Sequence, residues 1–390
     1  MDGPPIEDGA VAIRDGRIQD VGPAGEVRTR NAGKIRDLGD FALLPGLINA
    51  HCHLDYTCLR GRLQRPRSFA EWIRAINAAK ADLAPADYVA SINRGFVEAR
   101  RFGTVAMANL TAFPELIPQT RPLLRTTWFA ELLDVRDQAG ATALVERSLK
   151  SLEAGEHAGL CPHAPFTASR ELYQCCARAT RDRGLCLTTH LAESREEMAM
   201  FRDASGPLYD FMREIGREMG DCGGRTPLEH FLSMAEASRP WLIAHLNELS
   251  EDDFLLLARA QPRFHVVHCQ RSHRYFGNGV FPFARLRALG FNIALGTDSL
   301  ASNDDLNLFA EMRQFRKTFP EVAPEEILAL TTRNAALALG QGDVLGCLAP
   351  NLSSDMVAVP FSGLRKDLFD AIVTFEGEPL PDPVGTAREN

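Results

Sequence analysis

Eight short apolar runs, each followed by a stretch of helical periodicity, constrain this chain more than any other feature. They are GLINAHCH (46–53), TVAMANL (104–110), TTWFAEL (126–132), GLCPHAP (159–165), LCLTTHLAE (185–193), WLIAHLNEL (241–249), FHVVHCQ (264–270) and NIALGTDS (292–299). Segments such as PADYVASINRGFVEARRFG (85–103) and PFARLRALG (282–290) separate them, with apolar positions spaced for a 3.6-residue turn. Strand then helix, repeated eight times, is the pattern of an α/β chain closed into a (β/α)8 TIM barrel. The 390 residues hold a barrel of about 250 residues with an appendage to spare.

The appendage is expected from both chain ends. Residues 10–22 (AVAIRDGRIQDVG) read as a hairpin around Asp15-Gly16, a pair suited to a type I′ turn. From about Gly342 onward DMVAVPF (355–361) and AIVTFEG (371–377) read as short strands. The expectation is a small β-sandwich-like domain from residues 1–43 and 342–390, with the barrel over 44–341. The chain starts in what reads as the middle of that domain, so a first strand is expected to be missing, and the polar tail EPLPDPVGTAREN (378–390) to fray.

Composition excludes some partners. Forty-three basic against fifty-one acidic residues leave a net charge of −8, which argues against nucleic acid or an anionic membrane. No apolar run reaches the ~18–20 residues of a membrane span. Nine scattered cysteines without CxxC pairs suggest a reduced, cytoplasmic chain.

The histidines are not scattered. His51, His53, His163, His190, His245 and His268 fall toward the C-terminal ends of apolar runs, as do Glu193 and Asp298. In a (β/α)8 barrel those ends converge on one face, where such enzymes hold their sites. Burying so many titratable groups without a shared purpose is costly. On a strand, His51 and His53 point to one side and Cys52 to the other. A bare HxH is weak evidence, since two hydrogen-bonded core histidines satisfy it equally. With His190 and Asp298 at the ends of the fifth and eighth runs, three imidazoles and a carboxylate form a set for one divalent metal ion, zinc foremost with iron as the alternative.

These residues resemble the amidohydrolase superfamily, and within it the cytosine-deaminase-like and chlorohydrolase-type aminohydrolases related to S-adenosylhomocysteine/adenosine deaminases. The resemblance lies in PGLINAHCHLD (45–55), CPHAPFTAS (161–169), THLAES (189–194), AHLNEL (244–249), HVVHCQRSH (265–273), LGTDSLAS (295–302) and LAPNLSSDMVAV (348–359). It implies that His51, His53, His190 and Asp298 ligate a single metal, since no lysine stands at the fourth strand end to bridge two. It further implies that Glu193 shuttles protons, that His245 polarises the attacking water, and that His163 contacts substrate. His268 and Ser272 match a loop bordering the pocket, and Ser299, beside Asp298, is expected to face substrate.

The implied reaction is attack of metal-bound hydroxide on an N-heterocycle of purine, pyrimidine, triazine or pterin type, with Asp298 taking the water proton and Glu193 protonating a ring nitrogen. The partners are then a small heterocyclic substrate and water, with a homodimer as a further implication. Hydrolysis of another C–N or a C–Cl bond is the alternative on the same scaffold. A non-catalytic relative is the alternative of a different class.

Three departures from the family pattern stand out. Gln270 replaces a usual proline, which leaves the loop after the seventh strand freer to move. His273 replaces a common asparagine. Arg271 and His273 are open between meeting a substrate carboxylate or phosphate and forming a solvated basic loop, and Arg274 reads as solvated. Third, IRAINAAKADLA (73–84) has no glutamate where nucleoside-deaminating relatives hold a ribose, so Asp55 and Tyr56 are the candidates to replace it. Glu71-Trp72 reads as an ordinary helix start, His230 as structural and His157 as loop.

Overall fold

The computed structural model describes residues 3–155, 157–235, 240–260 and 264–383, so the last seven residues of the polar tail lie outside the described residues. Strands β1 (Gly9–Arg14) and β2 (Arg17–Pro23) form the expected hairpin. Asp15 and Gly16 both take positive φ (52° and 70°), the left-handed pair that a type I′ turn demands. β3 (Phe41–Pro45) leads directly into the first barrel strand, β4 (Leu47–His53).

The barrel continues through β5 (Thr104–Thr111), β6 (Arg125–Leu132), β7 (His157–Pro162), β8 (Cys186–Leu191), β9 (Trp241–His245) and β10 (Phe264–His268), each parallel to the one before. His157 therefore opens a strand, where a loop was expected. The eighth strand is split. β11 (Ile293–Leu295) pairs with β10, and β12 (Asp298–Ser299) pairs with β4, which closes the cylinder.

Gly296 and Thr297 make the crossing between the two halves. The Gly296 N–H donates to the His268 carbonyl at 3.1 Å and the Thr297 N–H to the His51 carbonyl at 3.0 Å. Asn49 locks the junction from the first strand: its Nδ2 donates to Thr297 Oγ1 at 2.8 Å, and its Oδ1 accepts from the Thr297 N–H at 3.1 Å.

Two hydrophobic layers sandwich the strands. Small inward residues such as Ala50, Ala106 and Ala108 pack with Ile48, Phe129 and Leu242. Larger outward residues such as Met107, Trp128, Leu160 and Ile243 pack against the helices. Serines start several of these helices. Ser169 accepts from the Leu172 N–H ahead of Arg170–Arg183, and Ser194 from the Glu197 N–H ahead of Arg195–Asp203.

β13 (Met356–Pro360) pairs antiparallel with β3, and Ile18 exchanges backbone hydrogen bonds with Asn351 and Leu352, so the two ends of the chain meet. The second expected strand corrects: AIVTFEG begins in a helix, Leu368–Val373, followed by a turn. Phe369, Ile372 and Val373 recur at i, i+3 and i+4 and pack into the main core, and this helical spacing overrides the β-branched composition. No helix among the described residues is long and apolar enough to cross a membrane.

A Cβ on Gly296 lies 2.7 Å from the His51 carbonyl oxygen and 2.8 Å from the His51 Cβ. Gly296→Ala should therefore destabilise the fold by about 1–3 kcal/mol, the usual cost of overpacking, read by denaturant titration. An alanine variant as stable as the parent would show that this junction has room to move.

Candidate active site

The C-terminal strand ends collect six buried histidines and carboxylates on one face. His51 and His53 come from β4, His190 from β8, His245 from β9 and Asp298 from β12, and Glu193 follows β8 by two residues. A register shift in β4 falls between Asn49 and Cys52, across His51. Cys52 points away, its thiol against the Ala108 carbonyl. His51 Nε2 and His53 Nε2 lie 3.9 and 3.8 Å from Asp298 Oδ1, and His53 Nε2 lies 3.2 Å from His190 Nε2.

Left-handed backbone aims several of these groups. His245, Leu246, Asp298 and Ala192 are non-glycine residues with φ of 76°, 50°, 59° and 50°. Hydrogen bonds hold the strained turns: the Leu246 N–H donates to the Leu191 carbonyl, and the Asn247 and Glu248 N–H groups to the Ala192 carbonyl, each at 2.9 Å. The Ser272 hydroxyl donates to Asp298 Oδ2 at 2.6 Å, and the Ser299 N–H to Oδ1 at 2.7 Å.

Burial divides the titratable groups. It pushes His51 down to about 3, and His53, His163 and His245 well below the usual histidine range. His190 is lowered for the same reason. These are neutral imidazoles, the ligand form. Burial also pushes the Glu193 carboxyl well above its ordinary value, reinforced by Asp298 and Glu197. Asp298 moves the other way. Burial alone raises it, but His245, His51 and the Ser272 hydroxyl outweigh burial and hold it below the usual aspartate range.

A divalent cation fits this donor set. Among the described residues, both ring nitrogens of the fully buried His51 lack a hydrogen-bond partner, as does His245 Nε2. His51, His53 and Asp298 each offer an atom within 4.8 Å of the others, as do His51, His190 and His245. Two imidazoles sharing an ion at about 2.0–2.1 Å stand about 3–3.4 Å apart, which matches the His53–His190 spacing. Buried polar atoms without partners are costly, and a metal satisfies them.

Other expected residues fall at varying distances from this cluster. His163 joins it, its ring centroid 4.7 Å from that of His190. Asp55 is buried, with one carboxylate oxygen accepting from Thr111 and the Ala112 N–H and the other unpartnered. His268 stacks face to face on Phe281 at 3.9 Å and meets Gln270 at 3.1 Å. The segment expected as a loop is the helix Gln270–Phe276. Within it, Arg271 is committed to Asp305 at 2.5 Å and Asp304 at 3.0 Å, and His273 to the Gly279 carbonyl. His230 pairs with Asp221 and stacks on Phe201, a structural role.

Two further residues were not singled out in the sequence. Glu131, the last residue but one of the third run, faces His53 Nδ1 at 3.8 Å and His163 Nε2 at 3.9 Å; its place near a strand end was the available signal. Glu197, fully buried, accepts from the Ala192 N–H at 3.1 Å and the Glu193 N–H at 2.8 Å, so it fixes the turn that presents Glu193. Ser194-x-x-Glu197 has the spacing of a capping box, but the carboxylate reaches past the N-cap to the two preceding residues.

The amidohydrolase family model matches residues 42–388, and an imidazolonepropionase-like composite domain matches residues 9–33. A 5-methylthioadenosine/S-adenosylhomocysteine deaminase of Moorella thermoacetica is 28% identical over 377 residues, covering 92% of this chain and 83% of that protein. The structure of Helicobacter pylori aminofutalosine deaminase with methylthio-coformycin superposes with a TM-score of 0.85 at 21% identity, covering 96% of this chain and 93% of that one. An adenosine deaminase from Xanthomonas campestris with bound zinc superposes with a TM-score of 0.77 at 23% identity, covering 96% and 85%.

Glu197→Gln turns an amide donor toward one of the two N–H groups that the carboxylate now accepts. Turnover should fall about 10–100-fold, as for other supporting residues around a metal site, while metal content stays at the parent value. Loss of metal in parallel with activity would assign Glu197 to the fold of the whole site rather than to the Glu193 turn.

Proposed function

The chain belongs to the amidohydrolase family, and on that premise we propose that it is a metal-dependent aminohydrolase removing an exocyclic amine from an N-heterocycle. The observation that carries this reading is the opposite tuning of two buried carboxyl groups that both lie close to His245. Glu193 lies 3.8 Å from His245 Nε2 and is pushed toward its protonated form, whereas Asp298 is held ionised. Pairs of acids pushed apart in this way divide the roles of proton donor and proton acceptor.

His51, His53, His190 and Asp298 would hold the cation, one per chain, with zinc favoured by three imidazoles and a carboxylate and by the zinc-bound relative. When bound, such an ion lowers the pKa of a water from 15.7 toward about 7. Asp298 accepts the water's proton. The Ser272 hydroxyl and the Ser299 N–H fix that carboxylate's orientation. His245, neutral and with Nε2 free of a protein partner, orients the attacking oxygen. Glu193 donates its proton to a ring nitrogen, so charge does not build up on the heterocycle as the tetrahedral carbon forms. Collapse of that centre, with Asp298 passing the proton it took to the exocyclic nitrogen and the new hydroxyl returning one to Glu193, releases ammonia. The heterocycle and water are thus the two reactants.

The test is ammonia release by metal-quantified protein across aminopurines, aminopyrimidines, triazines and pterins. Release from one of these at about one metal per chain is expected. Silence with the metal in place would favour another leaving group on the same scaffold. Asp298→Ala should lose both turnover and metal. Glu193→Gln should retain metal and lose about 10²–10⁴-fold in turnover, the usual contribution of a positioned acid. A Glu193→Gln variant of near-parent activity would remove the proton-donor assignment.

The pH profile has a defined sign. The raised Glu193 acts as the protonated acid, so kcat/KM should decline on the alkaline side as that proton is lost. Growth of activity without an alkaline limb would place the proton donor elsewhere.

A further inference from the structure

Glu311 lies outside the cluster yet is fully buried, on the helix Leu308–Thr318 that packs against β11 and the helix Gln270–Phe276. Both of its carboxylate oxygens are engaged. Oε2 accepts from the Arg271 N–H at 3.0 Å, and Oε1 accepts from Asn303 Nδ2 at 2.8 Å. Burial pushes this carboxyl up to about 7, opposed by Arg271 and by the two hydrogen bonds. The Arg271 guanidinium already pairs with Asp304 and Asp305, so balancing its charge does not require Glu311. A carboxyl is costly to keep dry, and its two contacts tell what this one holds.

The two residues it holds flank the two serines whose hydroxyls meet at Asp298. Arg271 precedes Ser272 in its helix, and Asn303 follows Ser302 in the turn after β12. Ser272 gives its one hydroxyl proton to Asp298 Oδ2 at 2.6 Å, so Ser302 is the donor in the 2.9 Å contact between the two hydroxyls. Ser302 Oγ itself lies 3.4 Å from Asp298 Oδ2. Asn303 adds a third connection. Its Nδ2 also donates to the carbonyl of Thr297, the residue before Asp298, at 2.8 Å. Its Oδ1 accepts from the Asp304 N–H at 2.8 Å, which fixes the way the amide faces. One carboxylate therefore ties the segment after the seventh strand to the segment after the eighth.

From this we propose that Glu311 is a positioning residue for the Asp298 carboxylate. By holding Arg271 and Asn303 together it keeps the Ser272 and Ser302 hydroxyls converged on Oδ2, and so leaves Oδ1 toward His51 and His53. An amide at this position cannot replace it. Only one of its two ends accepts, so either the Arg271 N–H or Asn303 Nδ2 then faces a donor. The inference rests on the metal-dependent reading, in which Asp298 is ligand and proton acceptor, and adds the group that aims that carboxylate.

The test is a double-mutant cycle on the full-length protein, read as zinc affinity by competition with a chelator. Glu311→Gln should weaken zinc binding about 10–100-fold, the range for groups that orient metal ligands. Ser272→Ala combined with Ser302→Ala should do the same. Adding Glu311→Gln to that pair should cost little more, because members of one hydrogen-bond network are not additive. A carboxylate that only supports the fold gives losses that multiply. Multiplied losses, or parent-like zinc affinity in Glu311→Gln, would overturn the proposal. Where Glu311→Gln is too unstable to purify, Asn303→Ala cuts one of the two arms and enters the same cycle, with the same outcomes deciding. If the parent binds no zinc, the metal reading fails separately, and a crystal structure of Glu311→Gln decides the positioning role. Loss of the Ser272–Asp298 hydrogen bond upholds it. Its retention overturns it.

Discussion

The site depends on one junction in the eighth strand. β11 lies on the seventh strand and β12 on the first, and the step between them lets the Thr297 N–H reach the His51 carbonyl. Gly296 allows this because no side chain fits against the His51 backbone. One residue beyond Thr297, the chain takes the left-handed conformation that turns the Asp298 carboxylate toward His51 and His53. Barrel closure and the assembly of the histidine–aspartate cluster are the same event.

A second dependence is electrostatic. Six groups that water would hold charged or half-charged are packed where little water reaches, and each is displaced from its ordinary ionisation by that burial. Burial pushes imidazoles toward the neutral form and carboxyls toward the protonated one, so a cluster buried uniformly would be uncharged. Asp298 is the exception: its carboxyl lies below the usual aspartate range, and the Ser272 hydroxyl donates to its anion. In the proposed reaction that single retained charge would draw a cation to the cluster, and Glu193, pushed the other way, would serve as the proton donor.

All eight barrel strands were legible because each apolar run ends in polar or turn-forming residues and is followed by a helical period. The histidines, Glu193 and Asp298 were legible because their runs end with them. The rest was hidden for definable reasons. NIALGTDS reads as one continuous strand, since nothing local tells that Gly296 and Thr297 serve two different neighbours. Arg271 reads as a free cation because Asp304 and Asp305, which hold it, lie more than thirty positions away. Glu131 stood at a strand end in plain view, but a lone glutamate gives no hint that its partners are His53 and His163. AIVTFEG shows the reverse error, a β-rich composition overridden by helical spacing of three core residues.

The contact between Asn49 and Thr297 joins positions 248 residues apart. A loop of that length is among the slower and entropically dearer closures a domain makes. During synthesis His51, His53 and His190 all emerge well before Asp298, so the chain holds three imidazoles without the carboxylate that completes them. On the proposed metal reading, the cluster would be complete as a cation site only when the last barrel strand docks against the first. Capture of an ion would then add free energy to the final closing step, and the seam between the first and eighth strands would be where its loss is felt.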